Sequence, residues 1–388
     1  MFTRIKDRIK YGGAIIGLEE VKAVVDVLLS DKGERWTIGE NSIALEKELA
    51  KEFGVKRAVL TNSGSSALLV ALTALHLPKG SKVIIPAVNF PTAFNAILQC
   101  GLIPVVVDVD IKTLNIDLDE VKKAIKTYPE IKAVIAVHIA ANPVDLIELR
   151  RIVGDRYIIS DNCDGSGTKL KGKYIDSYAD LSCVSFHAAH IITMGEGGAI
   201  LTDNEELATR CLKLREWGRA SGTDEIYHYE GFPNDYRSRY VYEEIGFNMK
   251  PLELQCAMGR IQLTKLNKFK KKRQENYKKL HEIFDKLPQF KMIETIDDVD
   301  VCWFSFPMLC NGIERKIVMD AFEKNNIECR TIFSGNILLH PAYKDIEYIQ
   351  IADLTNADDV MKNGMFLSVH PSITQDMIDF IEKVAKSL

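Results

Sequence analysis

Apolar residues recur at helical spacing near the start of the chain, predicting a helix over 19–29 with Val21, Val24, Val25 and Leu28 on one face. A second helical pattern over 41–53 stops at Gly54, the residue type favoured just past a helix C-terminus. Beyond it, short apolar runs alternate with helical ones. Strand-like runs fall at 57–60, 82–85, 103–108, 133–138, 157–161, 181–186 and 198–202. Helical segments separate most of the earlier runs, which is the order of a largely parallel sheet covered on both faces. An α/β fold is therefore predicted. The uncharged stretch 83–107 is long enough to span a bilayer. It holds Pro86, Pro91, Pro104, Asn89, Asn95 and Gln99, so it reads as a strand, a short helix and another strand.

The pattern changes near Lys265. The run KLNKFKKKRQENYKKL reads as a long solvated helix joining a large unit, 1–264, to a smaller α+β unit, 265–388. It lacks the interleaved aromatics of a nucleic-acid patch. The polar stretch 219–239, RASGTDEIYHYEGFPNDYRSR, is the main long insertion, and long loops in compact enzymes often cover active sites.

Composition narrows the class. The 388 residues, 46% hydrophobic and 27% charged, carry 50 Lys plus Arg against 54 Asp plus Glu, a balance of −4 that advertises no polyanion-binding surface. Eight cysteines with no C-x-x-C pair fit reduced, intracellular thiols. The N-terminal MFTRIKDRIKYGG has no apolar run long enough for a signal-peptide core, so a cytoplasmic address is expected, with neither membrane nor nucleic acid as partner.

Three segments carry candidate chemistry. Thr61-Asn62-Ser63-Gly64-Ser65-Ser66 follows a strand and opens an apolar helix; such a turn either cradles a phosphate or is a plain serine cap. It is neither a P-loop nor a dinucleotide fingerprint. The strand Tyr157-Ile158-Ile159-Ser160-Asp161 ends in a carboxylate at the edge where open α/β sheets bind ligands. Asp161 either caps a helix or pairs with a protonated ring nitrogen, the bond that keeps a pyridine cofactor electron-withdrawing. The third segment runs Ser185-Phe186-His187-Ala188-Ala189-His190-Ile191-Ile192-Thr193-Met194-Gly195-Glu196-Gly197-Gly198-Ala199.

This last segment resembles the cofactor segment of the pyridoxal-phosphate sugar aminotransferases, a fold-type I family with a mostly parallel mixed sheet in its large domain. Most members carry at the position of His190 the lysine that binds the cofactor covalently. Here no lysine occurs between Lys173 and Lys213. In this the chain resembles the nucleotide-linked 4-keto-6-deoxyhexose 3-dehydratases of the same family. The similarity extends through Pro86-Ala87-Val88-Asn89-Phe90-Pro91-Thr92, Arg215-Glu216-Trp217-Gly218-Arg219, Gly246-Phe247-Asn248-Met249-Lys250-Pro251, Trp303-Phe304-Ser305-Phe306-Pro307 and Phe333-Ser334-Gly335-Asn336.

The resemblance implies that Gly64, Ser65 and Ser185 bind the cofactor phosphate, Phe90 stacks on the ring, and Asp161 pairs with the ring nitrogen. Asp164 would stand near the ring hydroxyl, where relatives have Glu or Gln. Asn248 would reach the phosphate of a neighbouring subunit, implying a homodimer with shared active sites. Arg219 and Arg330 would anchor nucleotide phosphates or a carboxylate co-substrate. His190 would act as base and then acid in removing the C3 hydroxyl of a GDP- or CDP-linked keto sugar. Pyridoxamine phosphate would serve as cofactor, regenerated by L-glutamate, and its aldehyde form, pyridoxal phosphate, would be left after each turnover. Some relatives hold an iron–sulfur cluster. Cys163 lies at one of its positions, but no cysteine occurs from 220 to 255, so neither a cluster nor another metal site is expected. The other readings are a different reaction on a keto sugar and a catalytically dead regulatory dimer.

Overall fold

The computed structural model describes residues 8–30, 36–220, 229–233 and 240–388. Most of the stretch read as a long loop at 219–239 lies outside the described residues.

Eight strands form the main sheet in the order Arg57–Thr61, Gly198–Thr202, Leu181–Ser185, Tyr157–Asp161, Ala133–Val137, Lys82–Pro86, Ile103–Val107 and Ile349–Gln350. Gly198–Thr202 runs antiparallel to both neighbours, and the other strands run parallel to one another. The mostly parallel α/β sheet expected from the apolar runs is thus present. Helices such as Gly64–Ala74, Pro91–Gln99 and Leu118–Thr127 lie between successive strands, and each strand is buried along almost its whole length. Parallel strands end together, so Thr61, Pro86, Val137, Asp161 and Ser185 share one edge of the sheet. Ligands bind outside that edge in open α/β sheets.

A second sheet, antiparallel throughout, has the order Phe290–Met292, Ser305–Cys310, Gly364–Ser368 and Arg330–Thr331. Helices Arg315–Lys324 and Gln375–Ala385 pack in its region. One buried apolar cluster runs from Ile9 to Ala385 and joins the two sheets through Trp303, Phe304 and Phe306. The short strand Ile349–Gln350 extends the main sheet from the C-terminal part of the chain. Among the described residues no helix is long and apolar enough to cross a membrane; the uncharged stretch 83–107 is the strand, helix and strand expected.

One helix differs from its sequence reading, and another is present as read but oriented by its polar side. The helix Leu266–Phe284 is not solvated all round: Leu266, Phe269, Lys270, Arg273, Asn276, Leu280 and Phe284 are buried along one stripe. The charges of Lys270, Arg273 and their neighbours hid that stripe. Lys270 is tolerated inside because its Nζ donates to the Gly167 carbonyl at 2.7 Å and to Asp300 Oδ2 at 2.6 Å. The helix Leu18–Leu29 turns its apolar face outward, with Val21, Val25 and Leu28 41–52% exposed. Glu20 is the buried residue instead. It accepts from the Gly17 N–H, Gln262 Nε2 and Lys265 Nζ, and these bonds fix the helix by its polar side.

Candidate active site

At the C-terminal edge of the parallel strands, Ser63 caps the helix Gly64–Ala74. Its Oγ accepts from the Ser66 N–H at 3.1 Å, and the Ser66 hydroxyl donates to Asn62 Oδ1 at 2.6 Å. Capping consumes one of the first-turn amides and leaves those of Gly64 and Ser65, both in the wall of the cavity described below, for an anion. The turn is tightly set. A Cβ on Gly64 would stand 2.7 Å from Ser185 Cβ and 2.8 Å from Cys163 Sγ. Gly198, paired with both Thr61 and Ser185, lies directly beneath the turn.

The strand Tyr157–Asp161 delivers Asp161 and, three residues on, Asp164. Both are buried. Below them Ser160, Ser182, Asp176, Asn162 and His138 form a connected network. The Val144 N–H donates to His138 Nδ1, so the opposite nitrogen carries the proton toward Ser160 Oγ at 2.9 Å. Burial pushes the Asp161 carboxyl above its ordinary range, a cost that a cationic partner opposite would relieve. Asp164 is pushed up to about 8 by burial and then by the neighbouring Asp161, so it is a protonated acid at pH 7. Its Oδ2 has no hydrogen-bond partner among the described residues.

His190 belongs to a turn closed on Phe186, whose carbonyl accepts from the Met194 N–H and the Thr193 hydroxyl. The imidazole makes T-shaped contacts with Phe304, at 5.6 Å between centroids, and with His187, at 5.4 Å. Its Nε2 lies 3.7 Å from Asp164 Oδ1. Burial foremost, then His187, lowers the ring from the ordinary 6.5 to about 3. At pH 7 the site thus sets a neutral imidazole beside a neutral carboxylic acid, one able to accept a proton and the other to donate one.

These groups line one cavity of about 680 Å³, within the size of small-molecule sites. Gly64, Ser65, Phe90, Asp161, Asp164, Ser185, His190 and Arg330 all contribute to its wall. Phe90 stands at the start of the helix Pro91–Gln99, half exposed, with Phe333 edge-on at 6.3 Å. The Arg330 guanidinium lies 4.5 Å from the centre of the Tyr11 ring. Tyr11, His138, Phe304, Phe333 and His340 also line the cavity and were not singled out from sequence as site residues, because chain segments far apart bring them there. Among the described residues no lysine lines the cavity.

Arg219 and Asn248 stand apart from this wall. Arg219 stacks on the Trp217 ring at 4.5 Å, Lys250 Nζ lies 3.4 Å from the centre of the same ring, and exposed Asn248 accepts from Lys250 Nζ at 2.9 Å. Within a single chain they do not meet His190. Among the described residues no group of three or more His, Cys, Asp or Glu is placed to hold a metal.

The cavity fits a pyridine ring bearing a phosphate: amides at a helix N-terminus for the phosphate, buried carboxyls for the polar ring atoms, and aromatic rings beside them. Comparison with known proteins gives the same picture. The model of the DegT/DnrJ/EryC1/StrS aminotransferase family matches residues 15–386. A dTDP-4-dehydro-2,6-dideoxy-D-glucose 3-dehydratase of Saccharopolyspora spinosa is 36% identical, over 98% of this chain and 87% of its own. The Escherichia coli GDP-4-keto-6-deoxy-D-mannose 3-dehydratase with bound hydrated PLP superposes with a TM-score of 0.90 at 30% identity, covering 98% of this chain and 100% of that one. A GDP-4-keto-6-deoxymannose 3-dehydratase with a trapped PLP-glutamate geminal diamine also gives 0.90, at 29% identity, covering 97% and 100%.

Proposed function

The chain belongs to the DegT/DnrJ/EryC1/StrS aminotransferase family, and from that premise we propose that it is a pyridoxal-phosphate-dependent lyase that removes the C3 hydroxyl of a nucleotide-linked 4-keto-6-deoxy sugar. The observation that carries the reading is a cavity with histidine, and among the described residues no lysine, beside its buried carboxyls. When bound, the cofactor supplies an electron-withdrawing ring and an exchangeable amino group.

Gly64, Ser65 and Ser185 hold its phosphate, Phe90 covers a ring face, and Asp161 faces the ring nitrogen. Asp164, protonated, donates toward the ring hydroxyl. His190 Nε2 accepts a proton and, as imidazolium, delivers it to the departing C3 oxygen. Hydroxide is a poor leaving group, and an imidazolium made acidic by burial is a ready donor. A lysine in its place would capture the aldehyde form of the cofactor; histidine moves protons without forming a stable imine. L-glutamate restores the amine, a role supported by the glutamate adduct of the related enzyme.

Arg330 from one wall, and Arg219 and Asn248 from a second copy, complete the site for phosphates in a homodimer. The outward apolar face of Leu18–Leu29 and the exposure of Asn248 support that assembly. The division into 1–264 and 265–388 and the absence of an iron–sulfur cluster belong to the same proposal. The eight free thiols suit a cytoplasmic enzyme. The sugar is GDP- or CDP-linked by resemblance, and the Saccharopolyspora relative adds dTDP.

The test is incubation with pyridoxal phosphate, L-glutamate and each of the three nucleotide-linked 4-keto-6-deoxyhexoses. Loss of the C3 oxygen with release of ammonia and 2-oxoglutarate is expected, and His190→Lys should abolish it while binding the cofactor covalently. A 4-amino sugar as the product of the parent protein would overturn the reading.

A further inference from the structure

Arg273 is a charge in an expensive place. It sits in the middle of the helix Leu266–Phe284, 1% exposed, and among the described residues no carboxylate lies within ion-pair distance. Its Nη1 donates to the carbonyls of Phe304 at 2.9 Å and Trp303 at 3.3 Å, and its Nε has no hydrogen-bond partner. Burying a guanidinium against backbone carbonyls alone costs several kcal/mol that an apolar residue of similar volume would not. Mere packing does not explain it.

Its surroundings do. Phe304, the residue it grips by the backbone, stands perpendicular to the His190 ring, with an interplanar angle of 89° and 5.6 Å between centroids. Arg273 and His190 also line one small pocket with Gly13, Thr193, Gln262 and His370, separate from the cofactor cavity. His190 Nδ1 has no hydrogen-bond partner among the described residues. The imidazole is thus a partition, with Asp164 on its Nε2 side and Arg273 among the groups of the second pocket that it also lines.

Resting on the dehydratase reading, we propose that Arg273 is a positioning residue for His190, bracing the Trp303–Phe304 backbone against the ring and setting a fixed positive charge beside it. The groups facing the imidazole are His187 from its own turn, Asp164 from the loop after Tyr157–Asp161, and Arg273 from the long helix. His370 lies beside Arg273, its Nε2 donating to the Gly13 carbonyl and its Nδ1 accepting from the Ser372 hydroxyl, and Glu196 lies beside His187. Both Arg273 and His187 oppose protonation of His190, which adds to the effect of burial. The guanidinium itself, though lowered to about 10 by burial, keeps its charge at neutral pH. A proton taken up by His190 is accordingly passed on rather than kept.

The experiment is 15N NMR of the imidazole in the cofactor-free protein, with the His190 signal assigned by its loss in His190→Asn, followed by steady-state kinetics. In the parent the ring should be neutral and in one tautomer down to about pH 5. Arg273→Met should raise the pH at which His190 takes up its proton by about one pH unit and lower kcat by more than about tenfold with KM little changed. Arg273→Lys should return the titration toward that of the parent. A folded Arg273→Met protein with the parent's titration and tautomer would overturn the proposal. Should that variant not fold, a parent His190 that protonates between pH 6 and 7, or populates both tautomers, overturns it equally. Because the imidazole titration needs no turnover, failure of the dehydratase reading would leave this result readable.

Discussion

Asp164 holds its proton up to about pH 8 because burial, and then the charge of Asp161, penalise its ionised form; the Ala140 backbone and Arg273 act in the opposite direction. In an unfolded chain the same carboxyl ionises near pH 4. Between these values the folded protein binds the extra proton, so the stability this group contributes is complete below about pH 4 and is lost as the pH rises through 8. Asp164→Asn keeps the shape and abolishes the titration. The cofactor-free variant should therefore be more stable than the parent at pH 8, by about 1–3 kcal/mol, with the gap closing toward pH 5. Melting temperatures of both proteins at the two pH values check this, and an equal gap at both would mean that Asp164 ionises freely. The sequence placed Asp164 and His190 in the site but not their protons. Ordinary values, near 4 and 6.5, describe solvated side chains, whereas the walls that dehydrate these two include Phe304 and Tyr11, more than a hundred residues away in the chain.

At the scale of elements, the apolar runs at 57–60, 82–85, 103–108, 133–138, 157–161, 181–186 and 198–202 each correspond to a strand, with ends moved by one residue at most. A strand buried on both faces is an unbroken apolar run, so it is legible without neighbours. Two-residue strands such as Ile349–Gln350 exist only through their partner, here Ile103–Val107, and leave no run to read. The buried stripe of Leu266–Phe284 was hidden because Lys270 and Arg273 occupy positions where apolar residues signal a core face. Glycine shows the same limit. The motif around Gly198 was legible, but not why glycine is required: a Cβ there would stand 2.5 Å from the Ser63 carbonyl carbon and oxygen and 2.6 Å from the Gly64 nitrogen. Those are backbone atoms of the turn proposed to hold the phosphate and cannot rotate away. Gly198→Ala should push that turn off the strand, costing about 1–3 kcal/mol of stability and weakening pyridoxal phosphate binding by at least about tenfold. Cofactor titration followed by absorbance measures the second effect. A variant that binds as tightly as the parent would show that the phosphate is held elsewhere.

For the whole molecule, the issue is whether one chain makes a complete site. Asn248 and Arg219 lie outside the cavity that holds His190, on a surface with exposed Trp217, Tyr240, Tyr242 and Ile245, and the helix Leu18–Leu29 turns Leu18, Val21, Val25, Leu28 and Leu29 outward. Apolar exposure of this extent is the mark of a surface meant to be covered. In a two-fold dimer each copy would lend Asn248 to its partner's cavity, so two defective subunits can repair one another. In a mixed dimer of a His190→Asn subunit and an Asn248→Ala subunit, one site combines both defects. The other takes native His190 from one chain and native Asn248 from its partner. Random mixing in equal amounts makes half the dimers mixed with half their sites intact, so about a quarter of the parental activity should return although each variant alone is inactive. Refolding the two variants together and assaying the mixture, with each refolded alone as control, performs the test. If each chain built its own site, no pairing of the two variants could yield an intact one, and the mixture would stay as inactive as its components.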